Sequence, residues 1–333
     1  MHEGVEFISG RSALPGAVFQ PRGDYRAATQ SPRRRAGAFA KDAGAPQSQP
    51  GNVTVLAKRR PRLETDLRRA VENDAIKLFF QPQFDVADGH ACGVEALARW
   101  LRSDGTVVEP RIFIPLAEKT QLIGALGAWV LKQACQTVQA WRIRGSESIT
   151  LCVNVSAHQL NRAFARGVQR VLKCTGFPAT LLELEITESA LISNTNSTIV
   201  CLRQLKAMGI RIAIDDFGTG YSSLNYLSRL PADRLKLDKS LVHNLTTQWK
   251  DVAIVRAVIE LGKELGIAVV AEGVETEQQF QILKNLGCLQ VQGYLLARPI
   301  PPREARDMIK RQWGGRHARA EVRRRGPGVL HAS

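Results

Sequence analysis

The sequence predicts an α/β chain folded as a modified (β/α)8 barrel, and three observations predict it. A helix, a glycine, a short β-branched run and an acidic or polar residue recur in that order along the second half of the chain. Strand candidates alternate with helical periodicity through the rest of the ordered stretch. That stretch, from Leu63 to about residue 313, is roughly 250 residues, the usual size of one such barrel.

Taken in order, residues 1–62 carry Pro, Gly, Ser and Gln clusters without sustained apolar periodicity and read as a disordered basic leader. Leu63, Leu67, Ala70 and Val71 then fall at helical spacing. Leu78 to Val86 and Cys92 to Leu97 are strand candidates joined across Ala87-Asp88-Gly89-His90, a hairpin-like turn that would set strand one antiparallel to its neighbour. Helices are expected over Arg111 to Leu122, Leu126 to Trp141 and parts of 157–173, with strands at Ser148 to Val155 and Leu181 to Ile186. The repeated unit follows: Leu202, Leu205 and Met208 lead to Gly209, a run to Ile214, then Asp215. After a strand at Arg234 to Leu237, the helix bearing Val255, Val258 and Ile259 leads to Gly266, a run to Ala271, then Glu272. The last copy has Thr276 and Gln279 spaced as a capping box, then Gly287 and a short run to Gln292. Glycine just past a helix suits a left-handed C-cap, and runs of Val and Ile suit buried parallel strands. An open doubly wound sheet is the alternative arrangement of the same elements.

The formal charge of +15 over 333 residues is uneven. Residues 1–62 hold 11 Lys/Arg against 4 Asp/Glu and residues 303–333 hold 9 against 3, so the basicity belongs to the ends. These ends, including a second disordered basic tail at 314–333, have few aromatic residues to stack on bases; they read as solvated arms, with contact to nucleic acid or an acidic surface as the weaker alternative. The six cysteines lie far apart, mostly in apolar runs, and read as core thiols of a reducing compartment. No apolar run approaches the roughly 20 residues needed to span a bilayer, so a cytoplasmic protein is expected.

In a parallel barrel the C-terminal ends of the strands share the face that carries the active site. This sequence places Glu95, Asn154, Glu185, Asp215, Asp216, Lys236, Asp238, Glu272 and Gln292 there. Each acid alone has a plain structural use as the cap of the following helix. Together, so many carboxylates around one lysine need cations to neutralise them. Hard oxygen donors suit Mg2+ or Mn2+, and the Asp215-Asp216 pair offers to hold two ions, as in sites that perform in-line displacement at phosphorus. The residues thus point to metal-dependent phosphoryl chemistry. No GxxxxGK[ST] loop, GxSxG elbow or paired histidine ligands offer another.

The motifs then resemble a family. Gln81-Pro82-Gln83, Glu95-Ala96-Leu97-Ala98-Arg99-Trp100, Phe113 to Glu118, Asn154-Val155-Ser156, Glu185-Ile186-Thr187-Glu188, Asp215 to Leu224, Leu235 to Asp238, Ala271 to Thr276 and Gln292-Gly293-Tyr294 look like the signature segments of EAL domains, in order, over about residues 63–312. The resemblance implies a TIM-type barrel that hydrolyses cyclic di-GMP to linear pGpG with two divalent metals. It implies that Glu95, Asn154, Glu185 and Asp215 hold the first ion, and Asp215, Asp216 and Glu272 the second. Lys236 would position water and stabilise developing charge, and Glu272 would act as ligand, general base or both. Gln81, Leu97, Arg99, Asp238 and Gln292 would contact substrate, with Arg99 near the non-scissile phosphate, and Glu188 would anchor the Phe217-Gly218-Thr219-Gly220 loop linked to homodimer formation through the barrel. A receptor that binds the dinucleotide without cutting it is the rival within the family. Leu289 stands where many members carry Asp, with an effect on local packing or substrate fit expected. No cyclase-like or sensory module is recognisable ahead of the barrel, although Arg60 to Val71 resembles the lead-in helix that often follows one.

Overall fold

The computed structural model describes residues 60–73, 75–102, 104–142, 148–189, 196–218 and 230–311. The expected leader and tail fall almost wholly outside these residues, as does the loop after Gly218. Helix α1 (Arg60–Glu72) is followed by β1 (Ile76–Asp85), β2 (Ala91–Leu101), β3 (Val107–Val108), α2 (Pro110–Lys119), α3 (Ile123–Arg142) and β4 (Thr150–Asn154). Then come α4 (Arg162–Thr175), β5 (Leu182–Thr187), α5 (Asn196–Ala207), β6 (Arg211–Phe217), β7 (Arg234–Leu237), α6 (Lys239–His243), α7 (Trp249–Leu265), β8 (Ala268–Ala271), α8 (Glu277–Asn285) and β9 (Gln290–Val291). No helix among the described residues is long and apolar enough to cross a membrane.

The sheet runs β1-β9-β8-β7-β6-β5-β4-β2-β3, and β1 also pairs with β2, which closes eight strands into a barrel. Closure excludes the open sheet. Strand β1 is antiparallel to both β2 and β9, while β2 and β4 to β9 run parallel. The predicted hairpin is the cause. Asp85 and Asp88 side chains accept from the Ala87 and His90 amides at 2.8 and 3.0 Å, and Gly89 takes φ +69°, so the chain reverses within a few residues and has no room for a crossover helix.

The repeated glycines act as expected: Gly209, Gly266 and Gly287 all have positive φ, and Gly266 caps α7. The Thr276–Gln279 capping box opens α8. Strand β3 was not anticipated; its two residues pair antiparallel to Trp100 and Leu101 at the far end of β2. The outward residues of the barrel strands, among them Val94, Leu151, Leu184, Ile214, Leu235 and Val269, are buried under the surrounding helices. A second cluster, with Leu67, Phe113 and Leu126 around Trp100, fastens α1 to α2 and α3. Of the six free cysteines, Cys135, Cys152, Cys201 and Cys288 are core residues; Cys92 is half-buried, and Cys174, on the solvent side of α4, corrects the expectation of a core thiol.

Candidate metal centre in the barrel mouth

Strand alternation places every second side chain inside the barrel, and here the interior is polar in two layers. In the lower layer Arg234 meets Glu183 with Nε 3.2 Å from Oε2 and Nη1 3.4 Å from Oε1. The Cys152 thiol lies 3.4 Å from both Glu183 Oε1 and Gln83 Oε1. Two residues further along β4, β5 and β7 stand Asn154, Glu185 and Lys236, which form the upper layer toward the mouth.

Lys236 is the centre of that layer. Its ammonium lies 2.6 Å from Glu272 Oε1, 2.9 Å from Glu185 Oε1, 3.2 Å from Asp215 Oδ1 and 4.0 Å from Glu95 Oε2, with its side chain 1% exposed. Carboxylate oxygens thus close on the ammonium from β5, β6 and the end of β8 at ion-pair distance. Asn154 Nδ2 donates to Glu95 Oε1 at 2.6 Å, and Gln292 Nε2 donates to Glu95 Oε2 at 2.6 Å and to Gln81 Oε1 at 3.0 Å. Gln81 in turn donates to the Ala297 carbonyl at 3.0 Å. The cage thus draws side chains from β1, β2, β4, β5, β6, β7 and the ends of β8 and β9.

Burial sets the electrostatics. Burial raises the Glu185 carboxyl well above the carboxylate range; Lys236 pulls it back, and Glu95, Asp215 and Glu272 push it further up. Glu272 is pushed to about 8 by burial, against the pull of Lys236 and with added push from Asp215 and Glu95. Burial opposes the charge on Lys236, but Glu185, Glu272, Glu95 and Asp215 outweigh it and raise the ammonium well above its usual pKa. Five carboxylates face one ammonium once Asp216 is included. Without further cations, protons must make up the difference.

Asp216 has φ +54°, and the β6–β7 register slips between Ile214 and Phe217. The left-handed backbone breaks strand alternation, so consecutive acids need not point to opposite sides of the sheet. Burial, then the charges of Asp215 and Asp238, raise its carboxyl. The donor set fits a hard divalent cation: carboxylate and amide oxygens predominate, and Glu185 Oε2 is buried with no hydrogen-bond partner. Cys152, Glu183 and Glu185 also approach within 4.8 Å of one another. Only Glu185 of that trio is available, since Arg234 holds Glu183, and burial, with the Glu183 and Glu185 charges, keeps the Cys152 thiol protonated.

Other expected residues sit around this centre rather than in it. Glu95 is not at the end of its strand, as the sequence suggested, but midway along β2, which runs on to Leu101. Arg99 donates to the Ala98 carbonyl at 2.9 Å and lies 5.9 Å from the Phe79 ring centroid. Asp238 caps α6, accepting from Ser240 N at 2.9 Å, the plain use open to an acid after a strand. Glu188 Oε2 accepts from Gly218 N at 3.1 Å, which ties the end of β5 to the turn after β6. Leu97 and Asn154 border a cavity of about 660 Å3 between β2, β4 and helices α2 and α3. Leu289 precedes β9 at the end of the barrel opposite the mouth and is 58% exposed.

Sequence reasoning missed the lower layer. Gln83, Glu183 and Arg234 each lie two residues before or after a recognised site residue, and that period of two was the available signal. It also missed the link from Glu118 on α2, which accepts from Ser156 Oγ at 2.7 Å and steadies the turn after Asn154.

The sequence profile of the EAL domain matches residues 64–299, well over half of the chain. The chain belongs to the EAL domain family. This EAL domain is 43% identical over 251 residues to the bifunctional diguanylate cyclase/cyclic di-GMP phosphodiesterase MucR of Pseudomonas aeruginosa, a match covering 75% of this chain and 37% of that protein. It is 42% identical over 250 residues to the cyclic di-GMP phosphodiesterase NbdA of the same organism, covering 75% and 32%. The solved structure of the PaMucR phosphodiesterase in complex with c-di-GMP superposes with a TM-score of 0.70 at 43% identity, covering 73% of this chain and 99% of that one. The chain spans about a third of the length of these curated relatives.

Proposed function

We propose that this EAL domain is a phosphodiesterase that hydrolyses one phosphodiester of cyclic di-GMP to linear pGpG, using two divalent ions, Mg2+ or Mn2+. The observation that carries this reading is the Lys236 ammonium enclosed by Glu185, Asp215 and Glu272 inside the barrel mouth. Glu95, Asn154, Glu185 and Asp215 would hold the first ion, and Asp215, Asp216 and Glu272 the second. Such ions, when bound, lower the pKa of a coordinated water and offset charge on the phosphoryl oxygens.

In the metal-free cage the surrounding carboxylates favour the ammonium form of Lys236, which suits it to donate rather than to act as a base. Its ammonium would orient water and meet the negative charge that builds on the phosphoryl oxygens. Glu272 is the more open of the contacts, with 20% of its side chain exposed against none for Glu185, which suits it to accept a proton from water as well as to bind an ion. Gln81, Leu97, Arg99, Asp238 and Gln292 would contact the dinucleotide. The free thiols of the described residues and the nucleotide substrate suit a cytoplasmic setting.

The test is to incubate the purified protein with cyclic di-GMP and Mg2+ or Mn2+ and to follow pGpG by chromatography. Product is expected. Tight binding without product would sink the enzymatic reading and leave a receptor. Glu95→Ala should lower turnover by more than the roughly 10–100-fold typical of groups that only support a metal ligand, and full activity in that variant would refute the metal site.

A further inference from the structure

Gln83 lies beneath the cage, 1% exposed, and touches neither the mouth nor any expected ligand of the ions. The chemistry of its neighbours nevertheless fixes which way its amide must face. The Glu95 carboxylate can only accept, so the Gln292 amide turns its NH2 group toward Glu95 Oε2 at 2.6 Å. The Gln292 carbonyl oxygen is thereby turned down toward Gln83, where it needs a donor. Gln83 Nε2 supplies it at 2.9 Å. The Gln83 carbonyl oxygen then faces the Cys152 thiol, at 3.4 Å, and Gly93. A Cβ at 93 would stand 2.7 Å from that oxygen and would force the Gln83 amide to shift.

We infer that Gln83 is a positioning residue for the metal centre: it locks the amide of Gln292 with donors upward and so holds Glu95 in place to ligate the first ion. The inference rests on the metal-dependent reading above. Any side chain of similar size fills the space, but a donor at this place satisfies the Gln292 carbonyl from below, while Gln81 Oε1 and Glu95 Oε2 accept from its NH2 group above. A flipped Gln292 sets an amide oxygen against a carboxylate oxygen, and Glu95 must turn away. Polarity, not volume, is what position 83 supplies.

The polarity can be inverted without changing the shape. Once ionised, and so read at alkaline pH, Gln83→Glu replaces the NH2 donor with an acceptor, whereas Gln83→Met keeps the length and removes both functions. Mn2+ affinity is read on the full chain by electron paramagnetic resonance, without substrate, with the thermal midpoint and circular dichroism as the check on folding. The expected order of affinity is wild type, then Gln83→Met, then Gln83→Glu, with the last weakened by roughly 10–100-fold, the range for groups that orient a metal ligand. In a Gln292→Met background, Gln83→Glu should cost little further, since the amide through which it acts is gone.

Equal losses for Gln83→Met and Gln83→Glu would make the effect one of packing and overturn the inference. So would wild-type Mn2+ affinity in a folded Gln83→Glu protein, or an undiminished cost in the Gln292→Met background. If Gln83→Glu fails to fold, Gln83→Met decides: unchanged Mn2+ affinity there overturns the inference, and a loss that disappears in the Gln292→Met background sustains it. Failure of the unmodified protein to bind Mn2+ would overturn the metal reading together with the inference.

Discussion

The proton count of the cage is set by its individual carboxyls. Burial lifts Glu272 from an ordinary value of 4.5 to about 8, and Glu185 is raised as well. Between these limits the folded, metal-free protein keeps a proton on Glu272 that the unfolded chain has already released. Stability must therefore fall as pH rises through the window. In chelator, the thermal midpoint is expected to decline from about pH 5 to about pH 8, and saturating Mg2+ or Mn2+ should flatten the slope because cations replace protons. A midpoint that stays level or climbs across that range in chelator would contradict the buried cage. The raised pKa of Lys236 has no part in this window, since its contribution is lost only above the usual lysine range. At this scale most of the cage was legible in the sequence, because acids recur at strand ends. Asp238 was not distinguishable from the others, since an N-cap and a ligand require the same carboxylate after the same strand.

Among the elements, two glycines show how local sequence and packing divide the work. Gly293, just after Gln292, lies so close to the segment leaving β8 that a Cβ there would stand 2.1 Å from the Val274 carbonyl oxygen. Val274 N donates to the Gln292 carbonyl at 3.1 Å, and Leu295 N donates to Val274 O at 3.0 Å, so neither backbone can give way. Gly293→Ala should cost about 1–3 kcal/mol in urea denaturation and disturb Gln292 with it. Gly167 sits inside α4 with no atom within 4 Å of a built Cβ and no positive φ. Gly167→Ala is expected to stabilise by about 0.8–1 kcal/mol, the helix penalty of glycine over alanine. Opposite signs for the two substitutions in one protein check that close approach, rather than glycine as such, matters at Gly293. The helices and strands were readable because caps and β-branched runs are local features. Strand β3 was not, since two residues acquire strand geometry only by pairing with Trp100 and Leu101.

Across the whole barrel, the polar interior holds a second buried ion pair beneath the Lys236 cage. Arg234 and Glu183 join β7 to β5 across the interior below the cage, with side chains 9% and 1% exposed. Removing the cation alone strands a buried carboxylate, so Arg234→Met should destabilise by about 3–5 kcal/mol. The double variant Arg234→Met with Glu183→Met should recover most of that loss in chemical denaturation, because no unpaired charge remains. A double variant as unstable as the single one would show that the pair contributes more than charge balance.

The sequence by itself determined the barrel class, the antiparallel first strand, the family and the acids of the upper layer. The family rests on the resemblance of its motif segments; the others follow from periodicity, turn chemistry and residue type, all of which act over a few neighbouring positions. The tertiary structure decided what closes the sheet, which acid caps a helix and which faces Lys236, and that a second polar layer with Gln83 lies beneath. It also placed Leu289 at the end of the barrel away from the mouth. Such outcomes depend on contacts between strands far apart in the chain: Gln83 meets Gln292 and Cys152, and Glu183 meets Arg234, only once the barrel has closed.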